Sequence, residues 1–253
     1  MNRKRAILAA FGVLASVSAH AVGTVVVCGD EWTLSDSAFT GTNSANTKTF
    51  ATNLANFMIG GSGTILDTSA NGVHSGIELD NHLTGLGYTV DKDFSSTFDL
   101  ALISGYDAII VGGNRGAAND AGNLAALTAY VNGGGSVYVF GGTGDPGSAV
   151  AEAAQWNPFT TLYGITMSDT YTPPASLQDV TTDAGLHPLR NGVDKITFGF
   201  GHDLTVSGGS VVAISGGPEL EHPIGIVATN VVPEPASLAA LSLGLLALRR
   251  RRA

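Results

Sequence analysis

The chain is short of cysteine. Cys28 stands alone among 253 residues, so no intrachain disulfide can form and the fold must be held by its core. Cys28 lies in the apolar run VVVCG and reads as a small buried hydrophobe, an intermolecular disulfide being the other reading. Positive charge is also scarce away from the ends. Seven of the twelve Lys and Arg stand at Arg3, Lys4, Arg5 and Arg249 to Arg252. Residues 22–232 keep only Lys48, Lys92, Arg115, Arg190 and Lys195 against twenty Asp and Glu, a formal charge of −15. Such a surface repels nucleic acid and anionic lipid, so a nucleic-acid partner is not expected. Several catalytic and cofactor patterns are missing. There is no G-x-x-x-x-G-K-[ST], no H-E-x-x-H, no G-x-S-x-G and no EF-hand loop, and CGDEW has no G-x-G-x-x-G fingerprint. Neither a metal nor a cofactor is expected.

The two ends are more explicit. Residues 1–21 read MNRKRAILAAFGVLASVSAHA: a basic start, a small and apolar stretch over 6–17, and the small-x-small pattern of Ala19-His20-Ala21. This is a secretory signal peptide, with signal peptidase expected to cut after Ala21. The other end runs Pro233-Glu234-Pro235, then thirteen uncharged residues (236–248), then Arg249, Arg250, Arg251 and Arg252. In that order the segment 233–253 resembles the PEP-CTERM sorting signal of Gram-negative bacteria. The resemblance implies a membrane helix, a basic cytoplasmic tail and processing by the membrane protease exosortase. The physics agrees, because four arginines resist translocation and hold the tail on the cytoplasmic side. Thirteen residues make about 20 Å of helix, short of a full span. The tail therefore reads as a transient anchor, a permanent one being the alternative. The expected course is export across the inner membrane, brief anchoring, then residence at the envelope surface or outside the cell.

Residues 22–232 are long enough for one domain with a substantial core. Short β-branched runs end in glycine at 22–28, 106–111 and 136–140, with a lesser run at 64–66 and another at 88–90. Between them, helical spacing of apolar residues appears at 46–59, 74–86 and 123–131, and a short helix or turn at 98–103. Near-continuous apolar strands alternating with helices predict a three-layer α/β/α sandwich around a mainly parallel sheet. Residues 31–45 read as irregular, 149–163 as a helix interrupted by Pro158, 170–175 as a loop, and 211–214 and 224–228 as final strands. The segments LTGLGYTV, GYDAIIVGG and LTAYVNGGGSVYVFGG resemble the class I glutamine amidotransferase-like, or flavodoxin-like, superfamily.

That resemblance implies a cysteine nucleophile on the turn after a central strand. The matching turn here reads Gly141-Gly142-Thr143-Gly144-Asp145 and has none, while Cys28 is on the first strand. Thr143 as a nucleophile would need an adjacent base, which the sequence does not identify. No catalytic residue is therefore assigned. Open α/β sheets bind ligands at the carboxyl ends of their strands. Asp30, Glu31, Asn114, Arg115, Thr143 and Asp145 are expected to line that crevice, where acids favour a cation or polyol over a nucleotide. His187 and His202 are the histidines most able to approach one another. Three functions are consistent with these features. The first is a non-catalytic envelope or matrix-associated protein sorted through its C-terminus, with extracellular polysaccharide as a partner. The second is a secreted α/β hydrolytic enzyme of unrecognised type. The third is a carbohydrate-binding module using Trp32 or Trp156.

Overall fold

The computed structural model describes residues 23–69, 76–93, 99–113, 121–144, 147–172, 176–183, 185–216 and 224–232. The expected signal peptide (1–21), the sorting segment (233–253), Asn114, Arg115, Asp145 and His74 lie outside the described residues. Gly23–Val232 forms one compact unit.

The elements follow in order: β1 (Gly23–Cys28), α1 (Asp36–Thr40), α2 (Ser44–Met58), β2 (Thr64–Asp67), α3 (Glu78–Gly85), β3 (Thr89–Lys92), α4 (Leu100–Ile103), β4 (Ala108–Gly112), α5 (Ala121–Asn132), β5 (Ser136–Phe140), α6 (Ala149–Thr160), β6 (Ile165–Thr172), β7 (Gln178–Thr181), β8 (Lys195–Phe198), β9 (Gly201–Val206), β10 (Val211–Ser215) and β11 (Gly225–Val232). Short 3-10 turns add Glu31–Leu34, Thr161–Tyr163 and Pro188–Arg190.

The main sheet has seven strands in the order β10-β11-β1-β5-β4-β2-β3. The strands β1, β5, β4, β2 and β3 pair in parallel, and β11 and β10 extend the sheet antiparallel beyond β1. β1, β4 and β5 are buried along their whole length, as strands covered on both faces must be. Alternate residues feed two cores. Val26, Cys28, Ile110, Tyr138 and Phe140 pack with α2 and α3 on one face, while Val25, Val27, Ile109, Val137 and Val139 pack with α5 and α6 on the other. The α/β architecture with a mainly parallel sheet is thus present. α2 shows why it forms: Thr47, Phe50, Ala51, Leu54, Ala55 and Met58 repeat at three- and four-residue spacing and are all buried.

Three expectations are corrected. Residues 31–45 are not irregular, because Asp30 and Ser35 each accept a backbone N–H and so start the 31–34 turn and α1. α6 runs through Pro158, which is exposed and lies in the last turn. Residues 170–172 belong to β6, which pairs antiparallel with β9 in a separate two-stranded ribbon. At the domain's edge, Gly23 lies opposite Val232 in the β1–β11 ladder.

Candidate functional site

β1 and β5 are neighbours whose continuing chains part to opposite faces: β1 leads to α1 and α2, β5 to α6. This is the topological switch point at which open α/β sheets form a ligand crevice. Asp30, Glu31 and Thr143 all lie there. Here, however, the chain covers its own crevice. The His202 backbone N–H donates to the Gly29 carbonyl at 2.9 Å, and the Gly141 N–H to the Cys28 carbonyl at 2.9 Å. Phe200 to His202 therefore crosses the strand ends. A Cβ on Gly142 would stand 2.7 Å from the Gly29 oxygen and 3.0 Å from the Gly201 Cα. Its φ of +77° favours glycine for the same turn.

Beneath this crossing lies a polar cluster. Glu152, on α6, is fully buried, and its carboxylate gathers donors from four residues. It receives the Gly142 N–H at 2.9 Å, the Thr143 hydroxyl at 2.6 Å, the Tyr171 hydroxyl at 2.9 Å and His202 Nε2 at 2.8 Å. The Thr143 N–H adds a longer contact of 3.3 Å. The other imidazole nitrogen, Nδ1, faces the Ser168 carbonyl at 2.7 Å. Both ring nitrogens of His202 thus meet acceptors, the arrangement that suits an imidazolium. Burial alone would raise the Glu152 carboxyl, but the hydrogen bonds from His202, Thr143 and Tyr171, with the His202 charge, hold it below the usual range.

Asp30 behaves oppositely. It too is fully buried, and burial pushes its carboxyl up to about 7, although the Gly199 and Trp32 N–H groups partly offset the rise. The negative charge of Glu152 pushes in the same direction as burial. Glu31 is buried in the adjoining turn. Cys28 lies below the crevice, buried, with its thiol pushed up to about 11 by desolvation; its Sγ donates to the Asp30 carbonyl at 3.3 Å. A thiol so placed is a poor nucleophile.

Sequence reading found Asp30, Glu31 and Thr143 but missed Glu152 and Tyr171, and took His202 as a partner for His187. The two histidines do different things: His187 packs edge-on against Phe57, 5.1 Å between ring centroids, while His202 serves Glu152. Glu152 sits in the first turn of α6, where an acid reads as a complement to the helix dipole. One signal was legible but unread. Gly142-Thr143-Gly144-Asp145-Pro146-Gly147 follows β5, leads into α6 and has G-x-G-x-x-G spacing. In a nucleotide site the amides of such a loop would face phosphate. Here the Gly142 and Thr143 amides are given to Glu152, an internal anion in that position. Trp156 is core, 1 % exposed, and Trp32 is half-buried with its ring against Gly199. Among the described residues, no group of three or more His, Cys, Asp or Glu could hold a metal ion, and no helix is long and apolar enough to cross a membrane.

No curated protein and no solved structure matches the chain. Residues 231–253 match the PEP-CTERM protein-sorting motif. By that tail, the chain carries the signal of an exported protein sorted by exosortase and held only briefly in the membrane.

Proposed function

We propose that this protein is a non-catalytic component of the cell envelope or extracellular matrix, freed from the membrane by cleavage near Pro233. The observation that carries the non-catalytic reading is the occupation of the switch-point crevice by the protein itself. Glu152 already holds four donor residues, and Glu152, Asp30 and His202 present no surface to a substrate. Signal peptidase and an exosortase-type protease act on it in passing, and extracellular polysaccharide is its lasting partner.

One observation favours the hydrolase reading. Thr143 is half-buried rather than buried, and its hydroxyl lies 2.6 Å from a Glu152 oxygen. A carboxylate held below its usual range is a weak base for that hydroxyl, which weighs against it. Fractionation and intact mass test the main reading. Wild-type protein should be recovered outside the inner membrane, beginning at Val22 and lacking most of 233–253. Changing Pro233, Glu234 and Pro235 to alanine should trap the uncut form in the membrane. Predominance of the uncut form in wild-type cells that contain the protease would overturn it. A hydrolytic activity abolished by Thr143→Ala would replace the non-catalytic reading with the enzymatic one.

A further inference from the structure

A second concavity lies away from the strand ends, between α2 and the Pro188–Arg190 turn. It is a cleft of about 370 Å³ lined by Asn53, Asn56, Phe57, Pro188 and Asn191. Its volume is at the small end of ligand sites. Among the described residues no charged side chain lines it, on a domain whose sequence is otherwise strongly acidic. Arg190, beside Asn191 in the chain, reaches instead toward the Thr182 carbonyl at 3.4 Å.

The cleft is built on a polar stripe of α2. Asn46, Thr49, Asn53 and Asn56 recur at spacings of three and four residues, so they share one helix face. The segment 188–194 is laid along this face. The Asp194 N–H donates to Asn46 Oδ1 at 2.9 Å, and Gly192 lies over Thr49. Asn53 Nδ2 donates to the Leu189 and Asn191 carbonyls at 3.2 and 2.8 Å. Two carbonyl partners fix the amide's orientation, because only its nitrogen can donate to them. Asn53 Oδ1 is therefore left as an acceptor with no partner among the described residues. Asn56 turns one end of its amide to the Tyr88 hydroxyl oxygen at 3.0 Å, and that hydroxyl also donates to the Gly60 carbonyl, so the other end of the amide has no partner among the described residues. Asn191 is exposed, and neither end of its side-chain amide is engaged among the described residues. Phe57 is half-buried, and its ring is steadied edge-on by His187, whose Nδ1 accepts the Leu189 N–H. Burial lowers the His187 pKa, so that neighbour is neutral at physiological pH and adds no charge to the cleft.

We propose that this cleft binds one unit of a neutral polysaccharide. Three carboxamides offering both acceptor and donor atoms suit vicinal hydroxyls, each of which is itself donor and acceptor. The aromatic ring and Pro188 offer the apolar surface on which the C–H face of a pyranose packs. A phosphate or carboxylate ligand would find no cation there, and an apolar ligand would strand the amides. The inference rests on the exported, matrix-associated reading for the source of the sugar, and it moves carbohydrate recognition from Trp32 and Trp156 to Phe57.

The test is calorimetric titration of the full-length chain in a zwitterionic detergent, which brings no sugar of its own. The probes are short neutral oligosaccharides of glucose, mannose and galactose, with alginate oligomers in parallel. At least one neutral oligosaccharide should bind saturably and more tightly than alginate. Asn191→Ala and Phe57→Leu should each weaken that binding about tenfold. The Asn191 side chain makes no hydrogen bond among the described residues, so its variant should keep the wild-type thermal midpoint and decides the matter if the Phe57 variant misfolds. The proposal is overturned if no neutral oligosaccharide binds, if alginate binds as tightly, or if Asn191→Ala binds like wild type. Fractionation of the same cells separates the two readings. Normal shortening without sugar binding sinks only the cleft, whereas sugar binding by a chain that is never shortened sinks only the sorting model.

Discussion

Asp30 and Glu152 share one buried space and titrate in opposite senses. The Asp30 carboxyl is pushed up to about 7 by burial, whereas in the unfolded chain it ionises at about 4. Between those values the unfolded chain has released the Asp30 proton and the folded chain still holds it. Stability must therefore fall as pH rises through that window. Glu152, held below the usual range, contributes stability that is present above the ordinary carboxylate range and lost as pH falls through its depressed value. The thermal midpoint should accordingly peak in mildly acidic buffer. Asp30→Asn should flatten the decline toward neutrality, an effect on the order of 3 kcal/mol in urea titrations, and leave the acid limb in place. A wild-type midpoint that rises steadily from pH 5 to 8 would contradict this. Asp30 was legible as a crevice residue because it follows an apolar strand and a glycine. The Glu152–His202 pair was not, because the two are fifty residues apart and meet only when β9 folds over the end of β1.

Elements were legible in proportion to how uniform their surroundings are. β1, β4 and β5 are buried on both faces, so their sequences are unbroken apolar runs. β6 is not: only its first three residues alternate between buried and exposed, the rest are half-buried or exposed, and its polar end at 170–172 reads as a loop. What holds β6 in place is a side chain on α6. Asn157 Nδ2 donates to the Met167 carbonyl at 3.0 Å, and its Oδ1 accepts the Met167 N–H at 2.9 Å, so one amide substitutes for a strand neighbour. Asn157→Ala should cost about 1 to 3 kcal/mol in chemical denaturation, since it leaves both Met167 groups unsatisfied. The same variant should speed hydrogen exchange in β6 and β9 ahead of the main sheet. A wild-type midpoint would show that packing of Ile165 and Met167 alone secures the ribbon.

For the whole molecule, the sequence made both the α/β class and the C-terminal sorting motif legible, because one is a pattern of burial and the other a linear address. A particular superfamily within that class was not legible, since strand-end glycines recur across parallel α/β proteins. If the tail is only an address, deleting 233–253 should leave the domain's thermal midpoint within about 2 °C of the full-length value, because β11, the last strand of the sheet, ends at Val232. A drop of 5 °C or more would mean that the tail packs on the domain. The pairing of Gly23 with Val232 has a mechanical consequence. The two ends of the domain leave from the same edge of one antiparallel pair. Tension applied between them would open the β1–β11 ladder like a zipper, one rung after another from Gly23 and Val232 inward, instead of shearing every rung together. The domain is thus soft to a pull at its own ends, and the first strand to part, β1, lies in the middle of the sheet.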